Sequence, residues 1–163
     1  MLSTFIPPGG ISASAWLEFM GLAVSITGMV IGLGGVTVID IHALLGRTSP
    51  YWKEATIRTH KITKPLIWIG LIIATLGGAL LYGPTGFDRT APLQAVIGII
   101  LVVNGLYLTF AISPYLLRQE KEGRSSELLP MKMQRVILLS FLLSFLCWWA
   151  QLFLPAWSVT VLR

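Results

Sequence analysis

The sequence predicts an all-α fold: a transmembrane antiparallel four-helix bundle with its N- and C-termini outside. Three observations predict it. Of 163 residues, 55% are hydrophobic and 12% charged, about half the charge fraction of a soluble domain. The apolar residues gather in four stretches, 15–46, 62–82, 92–117 and 133–154, each able to supply the ~20 residues a helix needs to cross ~30 Å of hydrocarbon. The basic residues fill alternate gaps. Arg47, Lys53, Arg58, Lys61 and Lys64 cluster around the first connection, 47–61, and Arg118, Lys121, Arg124, Lys132 and Arg135 around the third, 118–132, whereas the second holds only Arg89. By the positive-inside rule the first and third connections are cytoplasmic, which suits a bacterial inner membrane.

Lipid offers the backbone no hydrogen bonds, so each crossing must be a helix. Residues 1–163 make one integral-membrane domain. The first stretch exceeds the bilayer's need and must tilt or project into the headgroups. No Lys or Arg precedes Arg47, so the basic n-region of a secretory signal is not expected and the first helix should stay in the mature chain. Pro7-Pro8-Gly9-Gly10 reads as a turning lead-in, with the first helix starting near Ser14 and stopping at Gly46. Ser49-Pro50 reads as an N-cap with proline at the first helical position. It makes 51–63 a candidate surface helix, and Pro65 then starts or kinks the second span. The turn-rich segment 83–90 makes the second and third helices antiparallel neighbours. Pro114 bends the third helix, 118–129 is a solvated loop, Pro130 opens the fourth helix, and Pro155 and Trp157 close it at the outer interface.

Small residues mark the helix faces that meet. Gly21, Ser25, Gly28, Gly32 and Gly35 recur by four and three, the 3.5-residue spacing that keeps one face on a partner. Small residues let membrane helices approach closely. The same count continues through Ile39, His42 and Gly46. In the second helix Gly70, Ala74 and Gly77 run back through Ile67 and Thr63 to His60, provided the helix passes unbroken through Pro65. Ser140, Ser144, Cys147 and Gln151 stripe the fourth helix, and that stripe runs back to Met133. Gln94, Gly98, Leu101 and Gly105, with Asn104 beside them, mark the third.

Both histidines thus fall on seams near the cytoplasmic end. Imidazole binds copper and haem iron, and thioether suits copper or a haem's sixth position. His42, His60 and Met133 are therefore candidate cofactor ligands for a b-type haem, and His42, His60 and Asp40 candidate ligands for copper or another metal. The plain alternative is that both histidines bond headgroups, loop carbonyls or Asp40; a third is proton handling. Whether they lie at equal depth depends on where the first turn centres. Asp40 is the acid deepest in a span, and an ion pair with Arg47, Lys61 or Lys64 is its expected structural role. Asn104 and Gln151 are intramembrane polar residues suited to bonds across helices, or to lining a path. Trp68 and Trp148-Trp149 read as packing or interface residues. Cys147 is the only cysteine, so it makes no internal disulfide and does not reveal the redox compartment. No catalytic motif or carboxylate pair appears, so no catalytic residue is assigned and an enzyme is not favoured. The net charge of +5 flanks membrane spans and leaves no soluble basic face, which argues against nucleic acid.

The run Gly34-Gly35-Val36-Thr37-Val38-Ile39-Asp40, a basic linker, and a helix with Gly70 and Gly77-Gly78 resembles the copper-resistance protein D superfamily. The resemblance covers some 60 residues of the first two helices. It implies a multi-helix membrane protein linked to copper handling, with haem binding among some small members. No site residue is transferred on it. The working expectation is a small multi-pass protein that binds b-type haem or a transition metal at its cytoplasmic end. The alternatives are a non-catalytic accessory subunit of a larger membrane complex, and a transporter-like homo-oligomer.

Overall fold

A computed structural model describes residues 13–83 and 90–161. The helices are α1 (Ala13–Leu45), α2 (Pro50–Tyr82), α3 (Ala91–Tyr107), α4 (Ser113–Lys121) and α5 (Met131–Val161), with a π-helical turn, Leu108–Ile112, between α3 and α4. Among the described residues four helical stretches are long and apolar enough to cross a membrane, α3 to α4 counting as one. The fold is a four-helix bundle and the chain an integral membrane protein. The lead-in at Pro7–Gly10 and most of the 83–90 turn lie outside the described residues.

The surface chemistry fits hydrocarbon. Val30, Ile99, Val103, Phe110 and Leu146 are all 60% or more exposed, a liability in water and a requirement in lipid. The hydroxyls of Thr27 and Thr75, also exposed, donate to the carbonyls of Ala23 and Leu71, each at 2.8 Å. Each polar group is thereby satisfied inside its own helix, as lipid demands.

Element bounds differ from expectation in four places, one of them the third connection, which is 122–130 rather than 118–132 because α4 runs on to Lys121. The first connection is only Gly46–Ser49, not 47–61, because α2 begins at Pro50 and runs through Pro65. Pro50 occupies the first turn, where its missing N–H costs no hydrogen bond. Ser49 is extended there and makes no side-chain cap. The third span does not simply bend at Pro114. Proline has no N–H for the carbonyl four residues back and its ring crowds that carbonyl; the chain absorbs this in the π-turn just before it. The fourth helix does not stop at Pro155 but continues to Val161.

α1 and α2 form a hairpin in near backbone contact. A Cβ added to Gly28 would collide with backbone atoms of Ala74 and Gly70, and one added to Gly70 with backbone atoms of Gly32 and Gly28. Contacts of Gly21 with Gly77 and Leu81, and of Gly46 with Lys53, extend the pairing along both helices. This register sets Asp40 and His42 level with the turn of α2 that carries His60.

The second layer, α3 to α5, docks through large side chains instead. Trp148, 2% exposed, seats its ring on Gly32 and joins Met29, Val36, Leu101 and Cys147 in the central core. Trp68 of α2 lies over Gly105 of α3. Asn104 and Ser140 bond reciprocally between α3 and α5, Asn104 Nδ2 to the Ser140 carbonyl at 3.2 Å and Ser140 Oγ to Asn104 Oδ1 at 2.7 Å. Gln151 Nε2 donates to the Gln94 carbonyl at 2.6 Å.

Gly32 is therefore the crossing point of α1, α2 and α5. Gly32→Ala should lower stability in detergent by about 1–3 kcal/mol, as overpacking of a closed contact does. Gly34→Ala, with nothing within 4 Å of its added methyl, should match or exceed the parent, since alanine favours helix. Thermal unfolding followed by circular dichroism compares them, and equal melting of the two variants would contradict this account of the seam.

Candidate functional site: a cavity at the basic end

The two basic connections lie at one end of the bundle, and a buried lysine joins them. Lys53, in the first turn of α2, is 3% exposed. Its Nζ donates to Gln119 Oε1 of α4 at 2.7 Å and to the carbonyl of Glu127 in the connection before α5. Lys61 of α2 pairs with Glu120 of α4 at 2.8 Å. Outside the membrane-spanning helices, Glu122 accepts from Arg118 at 2.8 Å and from Arg124 at 3.0 Å, while Glu127 takes Arg124 at 2.9 Å. The Arg118 hydrogen bond, with Arg124 adding to it, holds the Glu122 carboxyl below the usual range.

Beneath this clasp, between the α1–α2 hairpin and the α3–α5 layer, lies a cavity of about 160 Å³. It exists because the layers differ in packing. Glycine brings α1 and α2 together, while tryptophan holds the second layer off them. The π-turn forms part of the wall through Leu108, Thr109 and Ile112, and such turns recur at functional sites. Apolar side chains dominate, among them Ile67, Leu71, Leu101 and Trp148. The charged side chains of the lining are Asp40, Arg47, Lys53 and Lys64, and His60 joins them.

The candidate residues separate. Asp40 and His60 line the cavity. His60 Nε2 shares a 3.1 Å hydrogen bond with the Ser113 hydroxyl. His42, at similar depth, is outside the lining; its ring stacks on Trp52, centroids 5.3 Å apart and planes at 26°. Met133 packs against the cluster of Ile57, Ile112 and Leu116 and is also outside the lining. Asn104 lines the cavity with its hydrogen bonds spent on Ser140, and Gln151 is bonded nearer the other end. The expected ion pair of Asp40 is corrected: among the described residues it pairs with none of Arg47, Lys61 or Lys64. Lys61 points to Glu120 instead, and Asp40 Oδ2 is buried without a hydrogen-bond partner. Arg47 Nε, on the same lining, is likewise buried and unpartnered.

Lys53, Ser113 and Gln119 were not anticipated from sequence. A signal for Lys53 existed. The α2 count through Gly70, Ile67, Thr63 and His60, carried two steps further by four and three, reaches Thr56 and Lys53, and both line the cavity. Nothing local marks Ser113 as the partner of His60 or Gln119 as that of Lys53.

Comparison with known families, curated proteins and solved structures finds no match.

Lys53→Met should leave the Gln119 and Glu127 acceptors unpaired and destabilise the protein by roughly 1–3 kcal/mol, with faster proteolysis in the 122–130 connection. Arg58→Met removes only an exposed pair with Glu54 and should change stability by about 0.5 kcal/mol or less. Limited proteolysis with thermal melting checks both, and indifference to Lys53→Met would remove its role as the clasp.

Proposed function

We propose that this chain is a membrane-embedded binding protein that holds a small amphipathic anion at the basic end of its bundle. The cavity carries this reading, through its size and its charge. A cavity of about 150 Å³ holds one benzene-sized ring, so about 160 Å³ suits a body of one ring. Its lining has three cations, Arg47, Lys53 and Lys64, against one carboxylate, Asp40. Among the described residues none of the three cations has an ion-pair partner within 4 Å. Charge held in a membrane protein is costly unless compensated, and a bound anion compensates it. The positive-inside rule makes this end cytoplasmic, so the ligand enters from the cytoplasm or its leaflet, in a bacterial inner membrane.

A second reading, b-type haem, is favoured by His60 in the wall and by cations suited to propionates. Haem supplies four nitrogens itself, so one histidine from the chain suffices to hold the iron. A porphyrin is far wider than one ring, so this reading requires the two layers to part. Copper would take more donors from the protein. Among the described residues no three His, Cys, Asp or Glu side chains are grouped to hold an ion, which leaves Asp40 and His60 as a partial set. The resemblance to the copper-resistance protein D superfamily points toward a metal or haem role in general and assigns no residue to it. For an accessory subunit or a homo-oligomer, the seam glycines offer little support, because Gly21, Gly28, Gly70 and Gly77 are spent within the chain.

The probes are benzoate and benzylamine, equal in size and opposite in charge, added at millimolar concentration to protein in mild detergent. Benzoate should raise the melting temperature, as any ligand of the folded state does, and benzylamine should not. Arg47→Gln with Lys64→Gln, which removes two of the three lining cations and leaves the Lys53 clasp intact, should weaken the benzoate response. An equal response to both probes, or none to benzoate, removes the anion reading; a Soret shift on haem titration that is lost in His60→Ala would put haem first.

A further inference from the structure

Two orphaned polar atoms line the cavity, and they differ in kind. Arg47 Nε is a donor and Asp40 Oδ2 an acceptor; both are buried, and neither has a hydrogen-bond partner among the described residues. His42 Nδ1, Tyr82 OH, Gln94 Nε2 and Trp149 Nε1 are also buried and unpartnered, but none of those residues lines the cavity, and several other interior side chains have partners. Asn104 takes Ser140, Gln151 takes the Gln94 carbonyl, Lys53 takes Gln119, and His60 takes Ser113. Unmet hydrogen-bonding capacity at a low-dielectric site is expensive, and in this cavity it occurs at two points rather than at random.

Their positions define an axis. Arg47 lies in the turn after α1, level with Lys53 across the hairpin. Asp40 lies seven residues earlier in α1, about 10 Å further into the bundle at 1.5 Å per residue. The cations Arg47 and Lys53 therefore mark the end nearest the connections, and the lone carboxylate a deeper point. Lys64 and His60 approach from α2, and apolar side chains fill the wall between.

We infer that the cavity selects an aromatic acid with a hydroxyl group at the far end of its ring. The acid end meets Arg47 and Lys53 at the connection end, the ring sits among Ala43, Ile57 and Ile112 of the lining, and the hydroxyl donates to Asp40. The ring length together with the reach of the arginine and aspartate side chains spans the rise between the two residues. An unsubstituted aromatic acid enters but leaves the carboxylate unmet. A cationic ligand gains at Asp40 and is repelled by Arg47 and Lys53. The inference rests on the anion reading above and deepens it, with Asp40 as the residue that sets specificity. A site built to bond a substrate hydroxyl discriminates strongly against the analogue without it, because its own polar group is then stranded.

The test uses the full-length chain in detergent and three probes: benzoate, para-hydroxybenzoate and para-methoxybenzoate, which keeps the oxygen and removes the donor. Isothermal titration should give para-hydroxybenzoate an affinity about tenfold or more above benzoate, the size of a hydrogen bond to a charged acceptor. Para-methoxybenzoate should bind no better than benzoate. In Asp40→Leu the ratio of para-hydroxybenzoate to benzoate should fall to near one. The wild-type comparison needs no variant, so it stands even if Asp40→Leu folds poorly. Benzoate binding with no gain from the hydroxyl would overturn this inference while leaving the anion reading in place; that is the result expected if only water meets Asp40. Failure of all three acids to bind would overturn both. A hydroxyl preference that survives in Asp40→Leu would assign the selectivity to another residue and overturn the role given to Asp40.

Discussion

The close approach of α1 and α2 is the constraint on which the remaining structure depends. In lipid no hydrophobic drive brings apolar helices together, so packing must do it. Glycine supplies most of that packing here, with Ser25 and Ala74 the small side chains that remain on the line of contact. Gly28 and Gly70 lie so near the opposite backbone that a single methyl has no place. This fixes the register of the hairpin, and the register puts Asp40 at the depth of His60 and Arg47 beside Lys53. A slip of one turn would separate the charged groups that line the cavity.

The second layer follows a contrasting rule, and the contrast makes the cavity. Trp148 seats on Gly32, and Trp68 on Gly105. Each is a bulky contact, and both rings line the cavity. Between them the helices are joined by side-chain hydrogen bonds rather than by backbone contact. Toward the basic end the chain inserts the π-turn at Leu108–Ile112, which widens the third span where it faces α2. The Lys53 clasp closes that end without filling the space beneath it.

Much of the fold was legible because its signals are local or periodic. Four apolar stretches and alternating basic gaps give the crossings and set both charged connections at one end. The four-and-three spacing of glycine gives the seam. Ser49-Pro50 signals the start of α2, yet the charges of 51–61 read more naturally as a surface segment, since Lys53 becomes acceptable in a buried place only through Gln119 and the Glu127 carbonyl. Those partners lie 66 and 74 residues away, and no periodicity reports them. The same holds for His60 and Ser113, which are 53 residues apart. The two histidines share a depth, as the seam count allowed. Depth does not fix azimuth, and Trp52 draws the His42 ring away from the cavity while His60 stays on it. The cavity itself is a mismatch between two packing modes, and neither helix encodes it alone.

The unmet groups bear most directly on what the molecule does. A chain under selection for stability alone would replace Asp40 by leucine, since a carboxylate in a bundle interior without a partner costs more than it returns. It would also have a partner at hand, because Arg47 is only seven residues on, in the turn after α1, and lines the same cavity. The two are held apart. Arg47 and Asp40 instead face one space of about 160 Å³ from different depths, each keeping its hydrogen-bonding capacity open. Stability loses by that arrangement, whereas a site that must accept and release a polar molecule requires it, because groups that satisfied each other would have nothing left to offer a ligand.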